Sequence, residues 1–350
     1  MGWVTTWQRI KHNPMNRNRW QTFKNHKRGY WSLWLFTSLF VFSLFAEIIA
    51  NDKPLLVQYE QGYYFPIWQD YSELTFGGEL DIPTDYRDEY IQEIIQEKGQ
   101  IWWPLIPFSY DTFNYDLTEP APSSPTWQNL LGTDDQSRDV FARLIYGFRI
   151  SVLFALTLTF FSSIIGIAAG AIQGYFGGRV DLFGQRFIEI WSGLPMLFLL
   201  IILASLVQPN FWWLLGIMLL FSWMALVDVV RAEFLRGRNL EYVRAAKALG
   251  QSHRAIMFKH ILPNAMVATM TFLPFIFTGA LTTLTSLDFL GFGLEAGSPS
   301  LGELIKQGKN NLQAPWLGIT AFISMAVMLV LLVFIGEAAR DAFDPRKDCQ

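Results

Sequence analysis

Six apolar runs constrain this chain more than any other feature. They cover residues 30–50, 150–174, 187–207, 211–230, 265–286 and 316–336 of 350. Each is close to the roughly 20 residues a helix needs to cross a hydrocarbon core of about 30 Å. Inside lipid no water can satisfy the backbone, so a lone apolar run of this length must bond to itself as a helix. Only 16% of the residues are charged, against about 25% in soluble domains, and the apolar runs hold most of that deficit. Trp31, Trp34, Trp212, Trp213 and Trp316 stand at run ends, where amphipathic rings favour the headgroup region. The expected fold class is an all-α membrane protein of six transmembrane helices.

The net charge of −3 hides a strong segregation. Residues 1–29 carry seven Lys/Arg and no acid, and residues 231–264 carry seven Lys/Arg. Residues 51–148 carry five Lys/Arg and seventeen Asp/Glu, so 5 − 17 = −12. Short loops rich in Lys/Arg stay in the cytoplasm. That places 1–29, 231–264 and both termini inside, with 51–148 outside, and six spans satisfy every placement. The first run has a basic flank like a signal peptide, but it is too long and lacks a small-residue cleavage site, so it is expected to be retained. The lone cysteine, Cys349, sits in the tail 341–350, so no disulfide staples the outer segment.

At 98 residues, 51–148 is too long for a plain connection. It is rich in Tyr, Trp and Phe, so it is expected to fold as a mixed, aromatic-rich insertion. Residues 86–99 have helical spacing, with Ile91, Ile94 and Ile95 together and Gly99 at the end. Residues 120–127, PAPSSPTW, read as an extended linker back to the membrane. Such a segment is either a solvated acidic domain with no dedicated contact or a docking surface for a soluble partner; its aromatic content favours the second. In the second run, Gly166, Gly170 and Gly174 recur every four residues and allow another helix to approach closely.

Catalytic motifs are missing. His12, His26, His253 and His260 all lie outside the runs, and no G-x-S-x-G, H-E-x-x-H or paired-cysteine metal motif occurs. The nearest approach to a phosphate loop, GELIKQGKN at 302–310, has one residue too many between its glycines and Asn310 where Ser or Thr should hold magnesium. Glu47, Glu189, Asp228 and Asp288 stand near run ends, and no run has a carboxylate at its middle. This disfavours an ion-coupled carrier. A membrane sensor would need a cytoplasmic output domain, for which the inner segments are too short.

The remaining segment is EYVRAAKALGQSHRAIMFKHILPN, 241–264. Residues 241–249 read as a short helix that Gly250 ends in a left-handed conformation. Ser252 can cap a second helix, expected to stop near Leu262 before Pro263. Small side chains on an exposed helix can enter a groove on another protein, with flanking Arg and Lys for orientation. A simple interfacial hairpin is the bland alternative.

These residues resemble the cytoplasmic coupling loop of ABC importer permeases, E-A-A-x3-G-x9-I-x-L-P. Here Arg244 takes the Glu position and His260 the Ile position, as in the dipeptide and oligopeptide (DppC/OppC-like) branch. LGTDDQSRDVFARLIYGFRIS (131–151), with Ser137 in place of a usual glycine, resembles the lead-in to that core. GYFGGRVD (174–181), LDFLGFGL (287–294), APW (314–316) and RDAFDPR (340–346) resemble further motifs of the branch, in the same order. FGGELDIPTDYRDEY (76–90) is similar to the YejE-type oligopeptide and microcin C permeases. The resemblance implies a type I importer permease fold (MetI-like), with a permease core at 149–340 after the first helix and the insertion. It implies no catalytic, cofactor or metal site on this chain, with ATP and magnesium on a partner ATPase. It also implies a second homologous permease as heterodimer partner, a periplasmic peptide-binding protein, membrane lipid, no nucleic acid, and a bacterial inner-membrane location. Glu241, Ala245, Ala246 and Gly250 match the positions that dock on the ATPase, and Arg244 and Arg254 are candidate polar contacts there.

Overall fold

The structure is a computed structural model that describes residues 14–343 except 118, 208–209 and 296. The first 13 residues of the basic tail, with His12, and residues 344–350, with Cys349 and the end of the RDAFDPR motif, lie outside the described residues.

Helices α1 (Pro14–Asn25) and α2 (Lys27–Leu44) open the described chain. The outer segment contributes β1 (Leu56–Tyr59), β2 (Gly62–Tyr64), α3 (Glu89–Lys98) and β3 (Gly99–Trp102). There follow α4 (Val140–Phe176), α5 (Gly178–Ser192), α6 (Met196–Leu206), α7 (Phe211–Gly237), α8 (Glu241–Ala248), α9 (His253–Leu290), α10 (Leu301–Asn310) and α11 (Pro315–Phe343). Of the six predicted spans, those in α4, α7, α9 and α11 lie in unbroken helices long and apolar enough to cross a membrane. The run 187–207 is instead split between α5 and α6, which bend by 71° at their break. Pro195 stands there, and a proline has no N–H for the helical ladder and clashes with the preceding turn. The first run falls mainly in α2, whose 18 residues begin with Lys27 and Arg28, so its apolar length is short.

The chain forms two units. One comprises residues up to Thr37, Val152–Leu287 and Ala326 onward; the other comprises Ser38–Ser151 and Asp288–Met325. In the first unit, Gly166, Gly170 and Gly174 form a seam on α4. A Cβ there would lie 2.5, 2.7 and 2.6 Å from the carbonyl oxygens of Trp223, Val227 and Arg231 in turn. The two helices touch backbone to backbone, turn by turn, which only glycine permits. Arg231 Nη2 also reaches Asp181 Oδ2 of α5 at 2.7 Å, tying α5 to α7.

In the second unit the insertion folds on its own core. β1 pairs antiparallel with both β2 and β3. Asp88 caps α3 by accepting from the Tyr90 N–H at 2.9 Å. Ile91 and Ile95 then pack with Val57, Tyr59, Phe76 and Tyr86. The stretch predicted as a linker is pinned: Ser123 accepts from the Thr133 N–H at 3.0 Å, and its own N–H donates to Thr133 Oγ1 at 2.9 Å.

The lead-in 131–143 is a buried electrostatic anchor. Asp134 Oδ1 accepts from the backbone of Gln136 and Arg138, both at 2.9 Å, and Asp134 Oδ2 accepts from Arg138 Nε at 2.8 Å. Asp139 accepts from Ala142 N–H at 2.7 Å at the start of α4 and from Asn129 Nδ2 at 2.8 Å. Burial pushes the Asp139 carboxyl above its ordinary pKa, against those hydrogen bonds. Arg143, fully buried, donates to Glu303 of α10 at 2.6 Å and to the Tyr110 and Ser298 carbonyls at 3.2 Å each. Ser137, the residue at the position of a usual glycine, has φ +62°, a left-handed conformation that disfavours a Cβ.

Candidate functional site

Helix α8 is amphipathic at spacing three. Val243 and Ala246 point inward and join a cluster with Ala171, Val230, Phe234, Ile256, Ile261 and Ala265. Glu241, Arg244, Ala245, Lys247 and Ala248 are exposed. The two adjacent alanines of the motif therefore differ: Ala245 is free to meet a partner, and Ala246, 4% exposed, seats the helix on its own chain.

The loop closes by a Schellman arrangement. Gln251 N–H donates to Ala246 O at 3.2 Å and Gly250 N–H to Lys247 O at 3.1 Å, with Gly250 at φ +78°. This satisfies the last carbonyls of α8 and turns the chain sharply, as glycine allows. Leu249 beside it is 81% exposed. Ser252 Oγ then accepts from the Ala255 N–H at 3.3 Å and caps α9.

The second helix does not stop before Pro263. It widens into a π-turn over Ile256–Ile261 and continues as α9 to Leu290. Leu262 N–H donates five residues back, to Met257 O. Pro263 cannot donate to the turn before it, and the wider turn lets the helix pass the proline without ending. The far half of the loop is thus the first turns of a span.

Both histidines are fastened. His253 Nδ1 and Tyr175 OH of α4 lie 2.7 Å apart, and His260 Nε2 lies 2.8 Å from Gln251 Oε1. Tyr242 OH donates to the His260 carbonyl at 3.2 Å and accepts from Asn264 Nδ2 at 3.0 Å, stitching α8 to α9. Sequence reasoning missed Tyr175, Tyr242 and Asn264. By contrast, the side chains of Glu241, Arg244, Lys247 and Arg254 are exposed and have no hydrogen bond or ion pair among the described residues. Arg254 stands past the turn from the others and, with His253, lines an apolar groove between α4 and α9. The arrangement presents a rigid, basic, unpaired face joined covalently to a span. Among the described residues no group of three or more His, Cys, Asp or Glu is placed to hold a metal.

Residues 162–348 match the family described as binding-protein-dependent transport system inner membrane component. The chain is 62% identical over 335 residues to an Escherichia coli protein named inner membrane ABC transporter permease protein YejE, covering 96% of this chain and 98% of that one. It is 58% identical over 359 residues to the peptidoglycan transport system permease protein YejE of Agrobacterium fabrum, covering 96% and 94%. An oligopeptide transport system permease protein OppC of Lactococcus lactis is 36% identical over 223 residues, covering 63% and 76%. Among solved structures, an inward-facing MetNI methionine ABC transporter gives a TM-score of 0.46 at 13% identity, covering 57% of this chain and 96% of that one.

Proposed function

Because this chain belongs to the family of binding-protein-dependent transport system inner membrane components, we propose that it is a permease subunit of an ATP-driven oligopeptide importer. Peptide, including peptidoglycan-derived or microcin C-like peptide, passes from a periplasmic binding protein through the bilayer to the cytoplasm. The family works with ATPase and binding-protein partners, so hydrolysis belongs to the ATPase. ATP and magnesium sit there, and this chain binds no cofactor.

The observation that carries the reading is the loop at 241–254: an exposed, unpaired basic face on α8, seated by Val243 and Ala246 and packed against the first turns of α9. We assign Glu241, Arg244, Ala245 and Gly250 to the ATPase contact, with Arg254 at its edge and Ala246 acting through the seat. Because α9 starts inside the loop and Tyr242 and the cluster under Val243 and Ala246 fasten α8 to it across the Gly250 turn, a push on α8 is passed to a span. ATP-driven closure of the ATPase would then reorient the pore. Only 28% of the apolar window of α9 and 22% of that of α11 are buried within the chain. We infer that a second, homologous permease covers part of those faces; their low burial within the chain is what supports a heterodimer. We place α8 and both termini in the cytoplasm and the acidic insertion outside, a reading supported by the Lys/Arg-rich segments at 1–29 and 231–264. Its exposed Trp68 and Trp127, 79% and 96% accessible, suit it to contact the binding protein.

The test is co-purification of the ATPase with wild type and with Ala245→Glu. The variant places a carboxylate on the exposed side of α8 without disturbing its seat. Loss of the ATPase with an unchanged thermal transition is expected. Full retention would remove α8 from the interface.

A further inference from the structure

The groove beside the loop has a polarity gradient. It encloses about 640 Å³. On α4 it runs from Ile164 through Ala168 and Ile172 to Phe176, and on α9 from Met266 through Leu262 and Phe258 to Arg254 and His253. The two walls are antiparallel, and the Phe176 end of α4 meets the polar end of α9: the Phe176 and His253 rings lie 6.1 Å apart. Every other lining side chain is apolar. Twelve residues of helix, from Ile164 to Phe176, rise about 18 Å. One leaflet of a core about 30 Å thick is about 15 Å deep. The groove therefore has the length of a single leaflet, an apolar body and a cationic mouth.

The mouth is built for an anion. Arg254 is exposed with no side-chain partner among the described residues. His253 is held by Tyr175 at 2.7 Å. Arg238, which does not line the groove, donates to the Tyr175 carbonyl at 3.3 Å and adds positive charge near that end of α4. Basic pockets between spans on the cytoplasmic side suit anionic headgroups.

We infer that this groove is a binding site for an anionic phospholipid of the cytoplasmic leaflet, with an acyl chain along α4 and α9 and the phosphate at Arg254. The inference rests on the cytoplasmic placement of the loop. It makes the lipid a wedge against the first turns of α9, next to the face offered to the ATPase, so the lipid's presence would bias the loop's motion.

The test uses the assembled transporter in nanodiscs of phosphatidylcholine containing phosphatidylglycerol with a photoactivatable acyl chain, followed by peptide mapping. Labelling is expected in 164–176 and 253–266, displaced by unlabelled phosphatidylglycerol and not by phosphatidylcholine. Arg254→Ala should weaken displacement about fivefold, the factor one basic residue contributes near a membrane surface. Ala168→Phe, at an exposed lining position, fills the body of the groove without touching the loop and should abolish labelling there. Equal displacement by both lipids would overturn the site. So would labelling that survives Ala168→Phe, or a cysteine at 258 that cross-links to the second permease. A failure of ATP-driven uptake with labelling intact would count against the transport reading alone.

Discussion

Replacing Glu303 by Ala should unfold the second unit at a markedly lower temperature. Arg143 is fully buried, and its 2.6 Å bond to Glu303 is its shortest contact. Glu303 also receives Arg138 at 3.3 Å and Gln307 Nε2 at 3.1 Å. The four charges balance, Asp134 and Glu303 against Arg138 and Arg143. Removing Glu303 leaves two guanidiniums on one carboxylate away from water. Breaking a buried pair this way costs about 3–5 kcal/mol. Glu303 keeps 26% of its side chain exposed, so water can partly replace it and the low end, about 3 kcal/mol, applies. At roughly 2 °C per kcal/mol in a chain this large, the apparent Tm should fall about 6 °C. The double variant Arg143→Met with Glu303→Leu removes one charge of each sign and should lose less than the single one. Fluorescence-detected size exclusion after heating reads both. A single variant within 1 °C or so of wild type, or a double variant worse than the single, would refute the argument.

Ala246→Glu would force a carboxylate into the cluster beneath α8, at a cost of several kcal/mol; its Tm should drop, whereas Ala245→Glu should stay within about 0.5 kcal/mol of wild type. Gly170→Leu places a Cβ 2.7 Å from the Val227 carbonyl and should cost at least the 1–3 kcal/mol or so typical of overpacking, seen as lost monodisperse yield. Gly216→Ala on α7 meets nothing within 4 Å and should be neutral or stabilising by up to about 1 kcal/mol. Ser137→Gly relieves a left-handed Cβ worth about 1–2 kcal/mol, partly offset by glycine's greater chain entropy, so a rise of a degree or two in Tm is the expected readout.

Which parts of this structure could be read from sequence follows from the range of the forces involved. Apolar runs announce helices because the bilayer leaves the backbone no other partner, and α4, α7, α9 and α11 lie where those runs predict. The glycine repeat announced close packing, although not that α7 supplies the opposing carbonyls. Gly250 and Ser252 were legible because turn and cap chemistry is local. The break at Pro195 had a local signal too, masked by an apolar run that continues on both sides. Ala246 required more: adjacent positions on a helix point about 100° apart, and only the i, i+3 match with Val243 hints which alanine turns inward. Pro263 looked like a stop because a proline ordinarily ends a helix, and the π-turn that accommodates it leaves no local mark. Arg143 and Glu303 are 160 residues apart, so their pairing belongs to tertiary structure alone.

The central claim is that this chain moves peptide only when an ATPase pushes on α8. Peptide uptake into proteoliposomes holding both permeases and the ATPase, with binding protein on the outer face, tests it directly. Uptake should require internal ATP and should be lost in Ala245→Glu. Uptake by this chain alone, driven by a proton gradient without ATPase, would contradict the account.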